Sequence, residues 1–484
     1  MCLIAGGIGK NIRERFISMI ITGKHRGEDS FGVWTDSGVL KSHDFSEVSV
    51  IPDGRIGLLQ CRLAMTGSLD HNQPFHNDFS LVHNGEIYNH RHLRAYLEGK
   101  GVSFESDVDS EAILRLLKYF LRKKGIGVEE AIRKAMLMLE GDYAVAFSDG
   151  ERIYLFRDPI GVRPLYYSPN GFFASEKKVL WAIGEEATPV QPGELVVLSR
   201  EGVYRRRVFN ILELKGGPLP LERAKLALMK TLVHAVRVRV GKRTGVLFSG
   251  GLDSSLIALI ASNYSKVTLY TAGTEGSPDL EWARKVSDEL GLPLNEYVFD
   301  FDDVREAVPR VAFAIEDPNP MNLAIGIPLY FATKLARKDG CKLLLSGQGA
   351  DELFGGYAKY LERPELMESD LLDMGEKNLA RDDKIAMLNS VEGRVPFLDL
   401  AVVSISLRTP LEYKIQNGVR KAILREVATE LGLPLQIANR DKKAAQYGSR
   451  AQKLLEKLAG MESMTLREYA KKAFNEVFKE NKRF

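Results

Sequence analysis

Cysteine is scarce in this chain. Cys2, Cys61 and Cys341 are widely separated and show no C-x-x-C spacing, which argues against a disulfide framework or a structural zinc site and points to a reducing compartment. A surplus of one charge is lacking too: 67 basic against 64 acidic side chains leave +3 over 484 residues, so neither nucleic acid nor a membrane surface is expected as a partner. No apolar run approaches the length of a membrane span, and residues 2–5 are too short an apolar stretch for a signal peptide. A cytoplasmic protein is expected. G-K-[ST] is absent as well, and with it a Walker A phosphate loop. What remains is an ordinary globular composition, 45% hydrophobic and 27% charged, with length for about two to four domains.

Residues 249–255 read S-G-G-L-D-S-S, between an apolar run at 244–248 that suits a buried strand and another at 256–262 that suits a buried helix. Strand, glycine turn and helix together aim backbone N–H groups and a positive dipole end at one spot, which binds phosphate. Gly250 and Gly251 let the backbone come close to a ligand, and Ser249, Ser254 and Ser255 offer hydroxyls. Asp253 would be repelled by phosphates without a cation between them, so Mg²⁺ is expected. The heptapeptide resembles the pyrophosphate loop of the ATP pyrophosphatases, which implies ATP cleaved between its α and β phosphates to adenylate an acid.

Cys2 directly follows Met1, which is usually trimmed before so small a residue. Trimming puts a thiol and an α-amine on one residue, with reference pKa values of about 8.5 and 7.7–8.0, so a nucleophile carries its own base. H-R-G-E-D-S-F-G at 25–32, Arg62, and H-N-G-E-I-Y-N at 83–89 follow in a strand-and-turn region. Here the chain resembles the class II, N-terminal-nucleophile glutamine amidotransferases. The resemblance implies that Cys2 attacks the glutamine amide, that Asn84 and Gly85 form the oxyanion hole, that Arg62 clamps the glutamine α-carboxylate, and that Glu86 and Asp109 accept from its α-ammonium. Asp107 competes with Asp109 for that match, and His25, His83 and His90 read as structural. The implied domain covers residues 2–210 as an αββα sandwich of two antiparallel sheets flanked by helices.

Breakers at 215–220, K-G-G-P-L-P, mark the boundary. Beyond it, strand-like runs at 267–272, 295–301 and 342–345 alternate with helical patterns at 281–290 and 328–337, which predicts a two-domain α/β chain whose second part, 211–484, is a doubly wound parallel sheet. The lysine-rich end from 467 reads as a solvated helix. G-S-P-D-L at 276–280, S-G-Q-G-A-D-E-L-F-G-G-Y at 346–357 and V-E-G-R-V-P-F-L-D at 391–399 complete a set that, with Cys2 and the two earlier motifs, resembles the glutamine-dependent asparagine synthetases. This resemblance implies glutamine, aspartate and ATP as substrates, a β-aspartyl-AMP intermediate, and AMP, pyrophosphate and glutamate as products. It puts Asp253 and Asp351 on Mg²⁺, and the backbone at Leu247, Ala272 and Gly347 under adenine and ribose, with Ser346 nearby. Glu392 becomes the acid/base group and Lys442, or else Lys443, the cation at the α-phosphate. Two departures bear on the acceptor: Gln348 stands where the family commonly has glutamate, and a loop at 324–328 reads A-I-G-I-P. An enzyme acting on another carboxylate and a non-catalytic binding paralogue are the rival readings. A homodimer stays open.

Overall fold

The computed structural model describes residues 1–68, 71–76, 78–440 and 448–480. Two compact units result. The first is built on Met1–Ile211 with Gly375–Ala380, the second on Leu212–Met374 and the described residues from Arg381 onward.

Strands of the first unit, in chain order, are β1 (Cys2–Ile8), β2 (Ser30–Thr35), β3 (Gly38–Ser42), β4 (Ile56–Arg62), β5 (Phe75–His76), β6 (Ser80–Ile87), β7 (Gly141–Ser148), β8 (Ile153–Arg157), β9 (Tyr166–Tyr167), β10 (Phe172–Ala174), β11 (Thr188–Pro189), β12 (Glu194–Ser199) and β13 (Gly202–Arg207). They form two antiparallel sheets, ordered β11-β9-β10-β1-β4-β2-β3 and β13-β12-β8-β7-β6-β5. Strand alternation assigns the faces. Leu3 and Ala5 of β1 join Phe31, Val33 and Leu59 against Phe16 and Ile20 of the helix Ile12–Gly23. Ile4 and Ile8 point the other way and meet Val82, Ala144, Ala146 and Leu155 of the second sheet. On that sheet's far side the helix Asp109–Lys118 packs on β6, with Val128–Met138 beside it. Helix, sheet, sheet, helix is the layering that the amidotransferase resemblance implies. Cys2 has the parity of Ile4, and Asn84 that of Val82, so both lie between the sheets.

The second unit holds β14 (Arg243–Leu247), β15 (Lys266–Gly273), β16 (Leu294–Val298), β17 (Leu343–Leu345) and β18 (Glu392–Arg394) in the order β16-β15-β14-β17-β18. Every pairing is parallel. The order reverses direction at β14 and β17, and loops leaving the carboxyl ends of those two strands flank the crevice where such sheets bind ligands.

Three local expectations change. The run at 295–301 is not one strand: it stops at Val298, because Asp300 caps a helix Phe301–Ile315 by accepting from the N–H groups of Asp302 and Asp303 at 2.9 and 3.0 Å. Residues 324–328 are not a loop either. They belong to a helix Pro320–Lys338, capped by Asn319, in which Ala324 and Ile327 are core residues and Pro328 sits inside. Gly326 makes the fit, since a Cβ there would come within 2.7 Å of Val311 Cγ1 and 3.0 Å of Ile385 Cδ1. The C-terminal helix Leu466–Glu480 is amphipathic and not simply solvated: Tyr469, Ala470 and Ala473 are buried against that same core. Among the described residues, no helix is long and apolar enough to cross a membrane.

Candidate active sites

In the first unit the site grows from the start of β1. Cys2, 6% exposed, donates its backbone N–H to Asn84 Oδ1 at 2.9 Å. The same amide's Nδ2 is buried and has no acceptor among the described residues. Gly85, next on β6, has φ 142°, and a Cβ there would lie 1.9 Å from the Asp142 carbonyl, so the strand takes this course only with glycine. Arg62 faces Cys2 in the β1–β4 register. Its guanidinium donates to the carbonyls of Ser68 at 2.8 Å, His71 at 2.9 Å and Thr66 at 2.9 Å, so it organises the turn beyond β4. Thr66 Oγ1 in turn donates to Glu86 Oε1.

Asp109 and Asp107, rivals in the sequence, have different surroundings. Asp109 is buried behind β6 and accepts from the Ile87 N–H at 2.8 Å. Burial pushes its carboxyl up to about 6, while the N–H groups of Ile87 and Ser110 pull the other way. Asp107 is exposed, and bonds from His71 and the Ser68 N–H hold it below the usual carboxylate range. It lines a cavity of ≈ 590 Å³ with Thr66, Arg94 and Phe104.

Arg26 is the neighbour that sequence reasoning left without a role, although it lies in the H-R-G motif. Fully buried, it donates Nε to the Cys2 carbonyl at 3.1 Å and Nη1 to Glu176 at 2.9 Å. Burial disfavours a charged Glu176, but Lys178, His25 and Arg26 outweigh it and hold that carboxylate well below its ordinary range. The network fixes the backbone at Cys2.

In the second unit the loop after β14 opens the helix Leu252–Ser262. Gly250 has φ 67°, and Trp282 Nε1 donates to its carbonyl at 2.7 Å. The loop after β17 comes so near that a Cβ on Gly347 would lie 2.9 Å from Asp253 Cβ. Asp253 and Asp351, paired only by resemblance in the sequence, here converge on one cation. Lys421 Nζ lies 2.8 and 2.7 Å from the two Asp253 oxygens and 2.8 Å from Asp351 Oδ1. Lys421 was missed. A single lysine with φ 58° ahead of the helix Ala422–Glu430 carries no motif of its own. Gly356 leaves room for the pair, since its Cβ would be 1.9 Å from Asp351 Oδ1 and 2.2 Å from Lys421 Cε.

Beside this pair, Ser249, Gly251, Arg420, Arg425 and Arg440 line a cavity of ≈ 90 Å³. Arg440 lies over the Trp282 ring at 4.6 Å, and burial lowers its pKa. Two carboxylates meeting at one positive centre beside a phosphate loop fit Mg²⁺, a hard ion that takes one or two carboxylates and leaves its other positions to water and substrate phosphates.

Leu247 ends β14, and Ala272 is the penultimate residue of β15. Ser346 and Gly347 follow β17, where the Ser346 N–H donates to the Arg394 carbonyl at 2.9 Å. The Gln348 amide donates to Asp382, whose other oxygen takes Arg381 Nε at 2.7 Å, so a negative charge stands one residue beyond the amide. Glu392 is fully buried at the start of β18 and accepts from Arg394 Nε at 2.7 Å. Lys442 and Lys443 lie outside the described residues.

Residues 227–371 and 362–482 match the asparagine synthase family model, and residues 60–182 match a glutamine amidotransferase domain. A Methanocaldococcus jannaschii protein named as a glutamine-hydrolysing asparagine synthetase is 36% identical over 95% of each chain. Asparagine synthetase B of Escherichia coli is 29% identical over 90% of this chain and 79% of its own. The human asparagine synthetase is 32% identical over 76% of this chain and 72% of its own. A solved glutamine phosphoribosylpyrophosphate amidotransferase from B. subtilis aligns over 57% of this chain and 67% of its own, at 19% identity and a TM-score of 0.39, too loose to bear on the fold.

Proposed function

We propose that this chain, which belongs to the asparagine synthase family, divides its reaction between the two sites just described. The activity is ATP-dependent synthesis of asparagine with glutamine as nitrogen donor; the assignment of steps to residues is our reading. Met1 is removed, and the amine so exposed on Cys2 takes the proton of its own thiol. The thiolate attacks the side-chain amide carbon of glutamine. Charge then develops on the amide oxygen, and Asn84 Nδ2 and the Gly85 N–H receive it. Arg62, Glu86 and Asp109 hold the α-carboxylate and α-ammonium of glutamine. Loss of ammonia leaves a thioester, and water releases glutamate.

At the second site the β-carboxylate of aspartate attacks the α-phosphorus of ATP and pyrophosphate leaves. Ammonia then displaces AMP from the acyl adenylate. The N–H groups of the 249–255 loop and its serine hydroxyls seat the pyrophosphate, and Arg420, Arg425 and Arg440 add a basic wall. Leu247, Ala272, Ser346 and Gly347 border the nucleoside. Asp253 and Asp351 would hold Mg²⁺, which would supply charge neutralisation for the leaving pyrophosphate. Lys421 keeps the two carboxylates together and supplies a further positive charge beside the phosphates. Glu392 takes the proton shed by the attacking ammonia, Lys442 or Lys443 supplies the cation for the α-phosphate, and Gln348 with Asp382 meets the acceptor's ammonium.

The observation that supports this reading best is the convergence of Asp253 and Asp351 on Lys421 beside the glycine loop of a parallel sheet. Asp253→Asn keeps the loop's shape and removes a hard oxygen charge. Formation of AMP and pyrophosphate from ATP and aspartate is expected to fall at least about 100-fold, the scale of removing one key charge-stabilising group, while glutamine hydrolysis persists. ADP and phosphate as the wild-type products would refute adenylation.

A further inference from the structure

A second cavity of the same unit shares no lining residue with the nucleotide site. It measures ≈ 670 Å³ and lies against the helices Ala350–Phe354 and Leu366–Met374, with Ser406 and Lys414 in its wall. That volume falls within the range of about 300–1,000 Å³ typical of small-molecule sites. Its floor is apolar: Leu353, Met367 and Leu371 are all buried.

Lys414 is the unusual wall residue. It is 8% exposed, and its Nζ donates to Ser406 Oγ at 3.1 Å, while that hydroxyl gives its own proton to the Leu353 carbonyl at 2.7 Å. The described partner of this buried amine is therefore a neutral hydroxyl. An ammonium so placed is costly without an anion. Burial accordingly lowers its pKa to about 7; Glu368 opposes the change and Lys215 adds to it. Arrival of an anion at Nζ would meet this need.

The rest of the lining restricts which anion. Glu352, Glu365, Glu368 and Glu412 stand against Lys215, Arg408 and Lys414. Lys215 is already 2.5 Å from Glu368. A phosphate or dicarboxylate would meet more carboxylates than cations. A ligand with one carboxylate for Lys414 and one ammonium for the rim is matched at both ends, and its apolar part suits the floor.

We propose that this cavity binds a zwitterionic α-amino acid with an apolar side chain, its carboxylate on Lys414, its ammonium among Glu365, Glu368 and Glu412, and its side chain on Leu353, Met367 and Leu371. Three probes share one branched alkyl body and separate these contacts: L-leucine, 4-methylpentanoate without the ammonium, and 3-methylbutylamine without the carboxylate. In calorimetric titrations of the full chain at neutral pH, leucine binds saturably, 4-methylpentanoate binds several-fold more weakly, and the amine shows no binding. Lys414→Met weakens leucine at least tenfold and leaves glutamine hydrolysis unchanged. A readout that needs no variant is dilute acetic anhydride labelling of the wild type followed by peptide mass spectrometry: leucine reduces acetylation of Lys414 at least fivefold. The proposal is overturned if leucine does not bind, if the amine binds as well as leucine, if Lys414→Met retains full affinity, or if leucine leaves Lys414 acetylation unchanged.

Discussion

A buried amide donor without an acceptor among the described residues, as at Asn84 Nδ2, costs stability unless chemistry supplies the missing oxygen. Asn84→Ala is therefore expected to lower kcat for glutamine hydrolysis by about 10²–10³, with little change in ammonium-dependent synthesis; a coupled glutamate assay measures the first and pyrophosphate release with ammonium the second. Asp109 gives a pH signature. Its carboxyl titrates near 6, so it is charged above that pH and neutral below. If Asp109 holds the glutamine ammonium as proposed, acidification from about pH 7.5 to 5 turns a charge-assisted bond into a neutral one, a difference of roughly 1 kcal/mol, so KM for glutamine rises, though less than tenfold. Asp109→Asn has a raised KM throughout and no step near 6; a wild-type KM flat across that range would contradict the role. Residue by residue, the positions that the sequence proposed lie inside motifs. Cys2, Asn84, Asp253 and Asp351 announced themselves by their neighbours, but Lys421 and Arg26 act through contacts the fold creates, 168 residues apart for Lys421 and Asp253 and 24 for Arg26 and Cys2.

At the scale of elements, the alternation of apolar runs was enough to predict a parallel sheet, and β14, β15 and β17 lie where it put them. Ends and breaks were harder. Asp300 turns a strand into a helix through its cap, a signal hidden inside an apolar stretch. Pro328 read as a helix start, yet a helix already begun at Pro320 carries it, because its neighbours are core residues whose burial outweighs one lost hydrogen bond. Close approach of elements also exposes the proposed nucleotide site to small changes. A methyl group at Gly356 has no room between Asp351 and Lys421. Gly356→Ala is expected to force the pair apart and to cost about 1–3 kcal/mol by overpacking. KM for ATP should rise at least tenfold with glutamine hydrolysis intact; a variant with wild-type ATP kinetics would show that the Lys421 bridge is dispensable.

Across the whole molecule, the proposed reading gives each unit one of the two chemistries. Cys2, Arg26, Asn84 and Asp109 belong to the first, and Asp253, Asp351 and Lys421 to the second. The order of motifs along the chain is what suggests this division, since a motif points to its chemistry locally. Contacts such as Gln348 with Asp382 were not legible, because the helix bearing Asp382 has no sequence mark that ties it to β17. The central claim is that nitrogen release and carboxylate activation are separable. Cys2→Ala tests it most directly, assayed for asparagine and AMP with glutamine and, separately, with ammonium. The account predicts that glutamine-dependent synthesis is abolished and ammonium-dependent synthesis stays within about twofold of wild type. Loss of both in a folded variant, or survival of the glutamine-dependent reaction, would contradict it.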